Sequence, residues 1–584
     1  MKILIEEFEY QDPQILAFLK EVDSTRNKGK VPFVGYMYSK SQNDCVFFLP
    51  KVILNKDEKA FGKYDPNVLW NISQVQLSEE ERQFLNSFPI WTYQAINIYN
   101  CRNPKNIIVR HRNLSNSEVS DDNAHVPFLE NIIEIIRFAQ DNKSFLLFKM
   151  QHMHSGQGKV NWTKTISNQQ PFLKKGKAPV YLYPVVKKKD VDYEEELLVI
   201  YFSILRYINS QYGFSANINL NFELIPKERF NDYLNGEGTR RLHEIRYRYF
   251  SDRTLRIWRL CYAFFSRNDR INSSRTYEEY LLASDFDRVF EAMVDDLIGN
   301  SLPKHIKKEQ EDGKEIDHLF LFNSLVDASL NTYYIADSKY YKIGHRPEGS
   351  ALFKQYTYAR NLIQERLVNK DKENELALCR DDKTEGYNII PNFFLSAYID
   401  DNFNYFSDGI IYQESENQGV CHFRNRLFDR ETLILSQYDI NFLYVINQYA
   451  SNGSKERFRE EIHQTFRSNI LNRLNEEYLF HVLELRNKPK QGEEQQALKK
   501  ALDPIFRLVN GKVFCPKKEP SYINLILALE NPERHFTASK KELENENLNV
   551  LAALKKDFII HKGFKIGDSI EDFLNKTAEC FATP

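Results

Sequence analysis

Three residues could do chemistry together: Asp317, Asp337 and Lys339. They lie in two short apolar runs, Asp317–Phe322 and Tyr333–Tyr341. A carboxylate, one spacer and a lysine at the end of a strand, with a second carboxylate on the preceding strand, suits metal-dependent phosphodiester hydrolysis. Mg²⁺ prefers oxygen ligands and keeps several waters, so one or two carboxylates suffice to hold it. Such an ion activates a water and steadies the leaving oxygen. A neighbouring lysine stabilises charge developing on the phosphate. A bare Asp-x-Lys tripeptide is common, and alone it reads as a solvated strand face. The second acid and the flanking elements set this one apart.

The two runs are rich in Phe, Tyr, Leu and Ile and short enough to be strands. Asn323–Asn331 between them reads as a hairpin loop. A fold near Asp327 brings Asp317 opposite Asp337, where Cβ atoms of paired residues stand about 4.5–5.5 Å apart. Alternation along a strand then puts Asp337 and Lys339 on one face and Ser338 on the other. Upstream, Phe286, Val289, Phe290, Met293, Val294 and Leu297 form one stripe of an amphipathic helix over Asp285–Ile298. Ser284 is its expected N-cap. Glu291, at the stripe's border, is a candidate third, outer carboxylate for the metal, or a solvated helix glutamate. Downstream, Lys354–Leu367 reads as a second helix, with Gln355 a candidate for contact with substrate or water. Asn388–Ile399 reads as a further buried strand.

The chain has 584 residues, enough for several domains. Hydrophobic residues at 42% and charged residues at 27% describe a globular protein rather than a disordered one. No apolar stretch approaches the roughly 20 residues of a membrane span, and no membrane partner is expected. The N-terminal Met1–Phe8 has acids where a signal peptide would be apolar, so no secretion is expected. Seven cysteines form no C-x-x-C pair, which argues against a zinc site or disulfide framework and fits a reducing cytoplasm. A formal net charge of −2 argues against coating nucleic acid by bulk charge, though not against a local basic groove. Basic residues interleaved with aromatics occur at Asn100–Asn113, at Lys174–Lys177 with Lys187–Lys189, and most densely at Arg240–Arg256. Each could contact phosphate and stack on bases, or be a solvated helix face.

The expected fold is multidomain α+β. Residues 1–110 form a β-rich N-terminal domain, with strands at Phe33–Tyr38, Val46–Pro50 and Trp91–Ile96. Residues 111–274 are a helical middle region, with a clear helix at Phe128–Phe138. Residues 275–450 hold the α/β core with the candidate site, including a polar loop at Asp371–Gly386. Residues 451–584 are expected to be helical. Gly156–Ile166 has two glycines and a lysine, yet nothing in the chain matches a phosphate-binding G-x-x-x-x-G-K-[ST] loop, so no NTPase role is expected within it.

The order helix, strand, strand, helix, strand resembles the PD-(D/E)xK nuclease core, with Ile316 where the motif's name has proline. Gly158–Ile166, taken with Asp317 and Ala336–Lys339, resembles McrC-type restriction subunits. Asn425–Tyr444 looks more narrowly like the LlaJI restriction endonuclease family. The resemblance implies an Mg²⁺-dependent endonuclease subunit of a phage-defence restriction system, acting on double-stranded DNA in the cytoplasm. It implies a separate McrB-like AAA+ GTPase as motor and target reader, onto which the N-terminal region docks. By this resemblance Asp317 and Asp337 hold the metal and Lys339 is the catalytic lysine, while Asn161-Trp162-Thr163-Lys164 is structural. Double-strand cleavage with one metal site per chain also suggests self-association. The competing readings are a stand-alone type II-like restriction endonuclease and a non-catalytic assembly subunit with a nuclease-like fold.

Overall fold

The computed structural model describes residues 2–22, 29–39, 44–74, 78–112, 128–142, 147–153, 159–173, 176, 179–192, 195–212, 218–219, 221–273, 279–300, 302, 308–310, 313–328, 331–342, 345, 350–368, 380–381, 383–399, 403–407, 409–413, 420–421, 425–451, 455–490, 492–516, 524–534 and 538–582. Gly156, Gly158, Lys174, Lys177 and most of the Asp371–Gly386 loop lie outside the described residues.

The first sheet contains β1 (Lys2–Ile5), β2 (Val34–Ser39), β3 (Asp44–Leu49), β4 (Val109–Arg112) and β5 (Glu279–Ala283), in the order β1-β3-β2-β5-β4. Its fourth member in that order comes from far along the chain, inside the segment 275–450. Gly35 explains the close docking of β5 on β2. It has φ 146°, and a Cβ there would collide with the Leu281 carbonyl oxygen.

Trp91–Ile96, expected as a strand, lies inside helix α1 (Glu79–Arg102). Ser78 and Glu81 form a capping box that starts the helix, and Phe84, Leu85, Phe88 and Ile96 are buried along it. Tertiary burial and the cap overrule the local β-propensity of Trp91, Thr92 and Tyr93. Three helices dominate the middle region: α2 (Phe128–Asp141), α3 (Glu196–Tyr212) and α4 (Asp252–Ser273). Small sheets interrupt it, one of three strands (148–153, 159–160, 186–191) and one of two (172–173, 179–180).

The central sheet carries the candidate site. Helix α5 (Phe286–Ile298) precedes it, with Phe286, Val289, Phe290, Met293, Val294 and Leu297 all buried, as their spacing requires. Burial is worth about 1.5–3 kcal/mol for each such side chain. Ser284 does not cap α5: Asp285 occupies that position without a side-chain cap bond, and Ser284 instead donates to the Ile108 carbonyl. That contact ties the start of the helix to the residue before β4. Strands β6 (His318–Asn323) and β7 (Asn331–Lys339) pair antiparallel, with His318 opposite Ala336. Helix α6 (Ser350–Val368) belongs to the crossover to β8 (Pro391–Tyr398), which runs parallel to β7. Short β9 (Ile411–Tyr412) and β10 (Val420–Cys421) pair antiparallel with β11 (Leu433–Asn441), which is parallel to β8.

The two faces of the β6–β7 hairpin are covered by different helices. Phe320, Tyr334 and Ala336 share a core with the apolar stripe of α5. Leu319, Tyr333 and Ile335 pack with Tyr358, Ala359 and Leu362 of α6. Alternation therefore gives each helix its own half of the hairpin's side chains.

After β11 come α7 (Phe442–Ala450) and α8 (Glu456–Glu477). The C-terminal region is not simply helical. It holds a four-stranded antiparallel sheet of β12 (Tyr478–Leu485), β13 (Val513–Phe514), β14 (Asn524–Glu530) and β15 (Phe558–Phe564), in the order β13-β14-β12-β15. Phe480, Val482, Ile526 and Ala528 pack on one side, Leu483, Leu525, Leu527 and Leu529 on the other. A strand buried on both faces is apolar at successive positions, so it lacks the alternation that marks a half-buried strand.

Candidate active site

The acid pair forms at the open end of the β6–β7 ladder. Since His318 faces Ala336, one further step places Asp317 opposite Asp337. The backbone N–H of Ser338 donates to Asp317 Oδ2 at 3.2 Å, which fixes the first carboxylate to the strand bearing the second. Asp337 is 2% exposed and forms an ion pair with Lys339, two residues on along the same face. Asp337 Oδ2 is buried and, that ion pair apart, has no well-aligned hydrogen bond. The Lys339 ammonium also lies 5.4 Å from the ring centroid of Phe394 on β8. Asp317, Asp337 and Lys339 are thus brought together, and Ser338 faces the other way.

Charge is crowded here. Burial, then the Asp337 charge, pushes the Asp317 carboxyl up to about 6, against the pull of His318, Lys339 and Lys354. Burial also raises Glu291 on α5, to about 8, with further repulsion from Asp317, Asp287 and Asp337. Glu291 therefore feels both strand acids from the helix on the other side of the hairpin. Among the described residues, no group of three or more His, Cys, Asp or Glu is gathered so as to hold a metal ion. The site is two acids and a lysine, with Glu291 as an outer charge.

Gln355 is placed differently. It is 1% exposed, and its Nε2 donates to Asn392 Oδ1 at 2.5 Å while Asn392 Nδ2 donates to the Gln355 carbonyl at 3.0 Å. This clasp holds α6 to β8. The residue before it, Lys354, was not singled out from the sequence, yet it reaches the site electrostatically. Contact with Tyr358 raises its pKa against the cost of burial, and Asp337 and Asp317 raise it further. Its adjacency to Gln355 was the available signal.

Three more residues escaped the sequence reading. His318 is wholly buried, with Nε2 2.6 Å from Ser338 Oγ and Nδ1 3.3 Å from Asp295 Oδ1. Lys308 Nζ bonds both Asp295 Oδ1, at 2.5 Å, and the Asp317 carbonyl, at 2.8 Å. Burial would push the Asp295 carboxyl up, but hydrogen bonding and charge from His318 and Lys308 more than offset it, holding it down at about 2. The signal was positional: His318 and Ser338 each follow a site acid directly.

Two outlying segments have structural roles. The Asn161 side chain caps the helix Trp162–Asn168 by accepting from the Lys164 N–H. Asn425 accepts from the Glu530 N–H at 2.6 Å and donates to Asn547 Oδ1 at 2.8 Å, joining the central unit to the C-terminal sheet.

No helix among the described residues is long and apolar enough to cross a membrane. No curated protein matches the chain. A solved assembly described as a refined half-complex of Thermococcus gammatolerans McrB AAA+ hexamers with bound McrC is similar at 12% identity and a TM-score of 0.25, covering 80% of this chain and 99% of that one. So slight a likeness carries no argument about fold or partner. The model of the LlaJI restriction endonuclease family matches residues 141–400, a span that includes the acid pair and Lys339 but not Asn425–Tyr444. Over residues 141–400, this chain carries the sequence pattern of the LlaJI restriction endonuclease family.

Proposed function

We propose that this chain is the DNA-cleaving subunit of a restriction system, with a PD-(D/E)xK core built on Asp317, Asp337 and Lys339. The observation that carries the reading is the ion-paired Asp337 and Lys339 facing Asp317 at one end of a hairpin, inside the family-matched span. The strand order supports it: an antiparallel pair, then β8 added in parallel through a helical crossover and β11 in parallel beside it.

The donor set suits Mg²⁺. Two carboxylates offer hard oxygen ligands, one has a buried oxygen short of hydrogen bonds, and both are crowded by negative charge that a cation would relieve. Asp317 and Asp337 would hold the ion, which would polarise the scissile phosphate and acidify a bound water. Lys339 balances Asp337 and supplies positive charge for the phosphate. Lys354 adds a second cation directed at the same acids. Glu291 adds an outer negative charge that the same cation would relieve. Gln355 is assigned to seating α6 on β8 rather than to substrate contact.

The partner in this proposal is a McrB-like AAA+ GTPase, on the strength of the sequence resemblance to McrC-type subunits. The test is cleavage of supercoiled plasmid by the purified chain with Mg²⁺, that partner and GTP. Lys339→Ala should abolish cutting while leaving GTP turnover by the complex intact. Undiminished cutting by this variant would sink the site assignment. Failure to co-purify, with GTPase rates indifferent to this chain, would remove the partner and leave a stand-alone nuclease.

A further inference from the structure

We infer that His318 and Ser338 are positioning residues, which from the face opposite the acids set how Asp317 and Asp337 stand to one another. This inference rests on the metal-site reading proposed above.

The sequence of Asp295, His318 and Ser338 contacts resembles a nucleophilic hydrolase array. Burial rules that use out: His318 is 0% and Ser338 6% exposed, so no substrate reaches the hydroxyl. What the array does instead follows from where it attaches. His318 directly follows Asp317, and Ser338 directly follows Asp337. The 2.6 Å contact between their side chains is a cross-strand tie immediately behind the acid pair. Ser338 acts in both directions, because its backbone N–H holds Asp317 Oδ2 at 3.2 Å.

Asp295 orients the tie. An ionised carboxylate only accepts, so His318 Nδ1 must carry the proton that faces it. The other ring nitrogen, Nε2, shares the 2.6 Å hydrogen bond with the Ser338 hydroxyl. The Ser338 rotamer and the His318 ring orientation are thereby fixed together. Lys308 closes the loop by bridging the Asp295 carboxylate and the Asp317 carbonyl. Asp317 is thus held at its carbonyl by one end of the network and at its carboxylate by the other. A carboxylate placed this way loses little freedom when it takes up a cation. Partners that orient ligand groups in this manner typically contribute 10–100-fold to metal affinity.

The experiment is a Mn²⁺ titration of the full-length protein without DNA, followed by electron paramagnetic resonance of free Mn²⁺. Wild type, Ser338→Ala, Ser338→Thr, His318→Gln and Asp337→Asn are compared, each checked for folding by circular dichroism. Ser338→Ala and His318→Gln should weaken Mn²⁺ binding about 10–100-fold, while Ser338→Thr, which keeps the hydroxyl, returns it toward wild type. In cleavage, the two weakened variants should need correspondingly more metal and recover at high Mn²⁺, which a general loss of folding would not produce. Ser338→Ala and His318→Gln binding Mn²⁺ within about twofold of wild type, with Asp337→Asn abolishing it, would overturn this inference alone. Loss of binding in Ser338→Ala that Ser338→Thr fails to restore would also overturn it. No Mn²⁺ binding by wild type would overturn the metal-site reading, and this inference with it.

Discussion

Glu291 and Asp295 stand four residues apart on α5, yet their environments drive them in opposite directions. Glu291 is half-buried beside other acids and is pushed up to about 8. Asp295, only partly buried, meets His318 and Lys308 and is held at about 2. One helix, on one face of the hairpin, therefore meets the site in two ways. Toward the acid pair it adds negative charge to a place already short of compensation. Toward the opposite face its carboxylate completes a satisfied network. Unrelieved charge in a folded interior costs stability, and it persists at sites that bind a compensating group. In the function proposed above, the acid face is the working face and the histidine face its support.

The largest test of that contrast exchanges a carboxylate on the acid face. Asp337→Asn should lower plasmid cleavage by about 10³-fold, the scale of losing a principal charge-stabilising group, while leaving the thermal unfolding midpoint unchanged or higher. A cleavage-competent Asp337→Asn would break the comparison.

Next in size is a buried carboxyl, Glu6, which accepts from the Tyr340 hydroxyl at 2.5 Å and from the Lys51 N–H at 3.1 Å. Burial raises it to about 7 despite these contacts. Its folded pKa lies above its unfolded one, so the stability it contributes is complete below about 4.5 and is lost as pH rises through about 7. Wild type should therefore weaken between pH 5 and 8 by up to roughly 2–3 kcal/mol, and Glu6→Gln should flatten that slope in urea unfolding. Because Tyr340 directly follows Lys339, this also tests whether the first sheet supports the site strand.

On the supporting face, Asp295→Ala strands Lys308 and His318. With its side chain 38% exposed, solvent screening discounts the loss, leaving about 2 kcal/mol of destabilisation by urea unfolding. The smallest effect has the opposite sign. Glu291→Gln removes one of the mutually repelling charges and should raise metal-free stability by about 1 kcal/mol in alkaline buffer, a gap that added Mg²⁺ narrows. Equal destabilisation by Asp295→Ala and Glu291→Gln in calorimetry would erase the distinction between the faces.

Much of the site was legible in the order of residues. Strand alternation placed Asp337 and Lys339 together and turned Ser338 away, and the hairpin midpoint put Asp317 opposite Asp337. The apolar spacing of Phe286 through Leu297 located α5, and each of those residues is buried. These are consequences of fixed local periods of about 2 and 3.6 residues, which any segment carries within itself. The same periodicity misread Trp91–Ile96, where a cap at Ser78, outside that window, starts a helix. It passed over β12 and β14 because burial on both faces removes alternation.

What the sequence determined, then, is the relative facing of Asp317, Asp337 and Lys339. Only the tertiary structure decided the groups that surround them. Asp295 reaches His318 and Lys308 reaches the Asp317 carbonyl from separate segments, Lys354 arrives on a crossover helix, and β5 joins the first sheet from far along the chain. Such meetings depend on which surfaces pack, a property of long-range contacts that no local pattern encodes. Four residues of one helix, read alone, could not reveal that Glu291 would face repulsion and Asp295 would face relief.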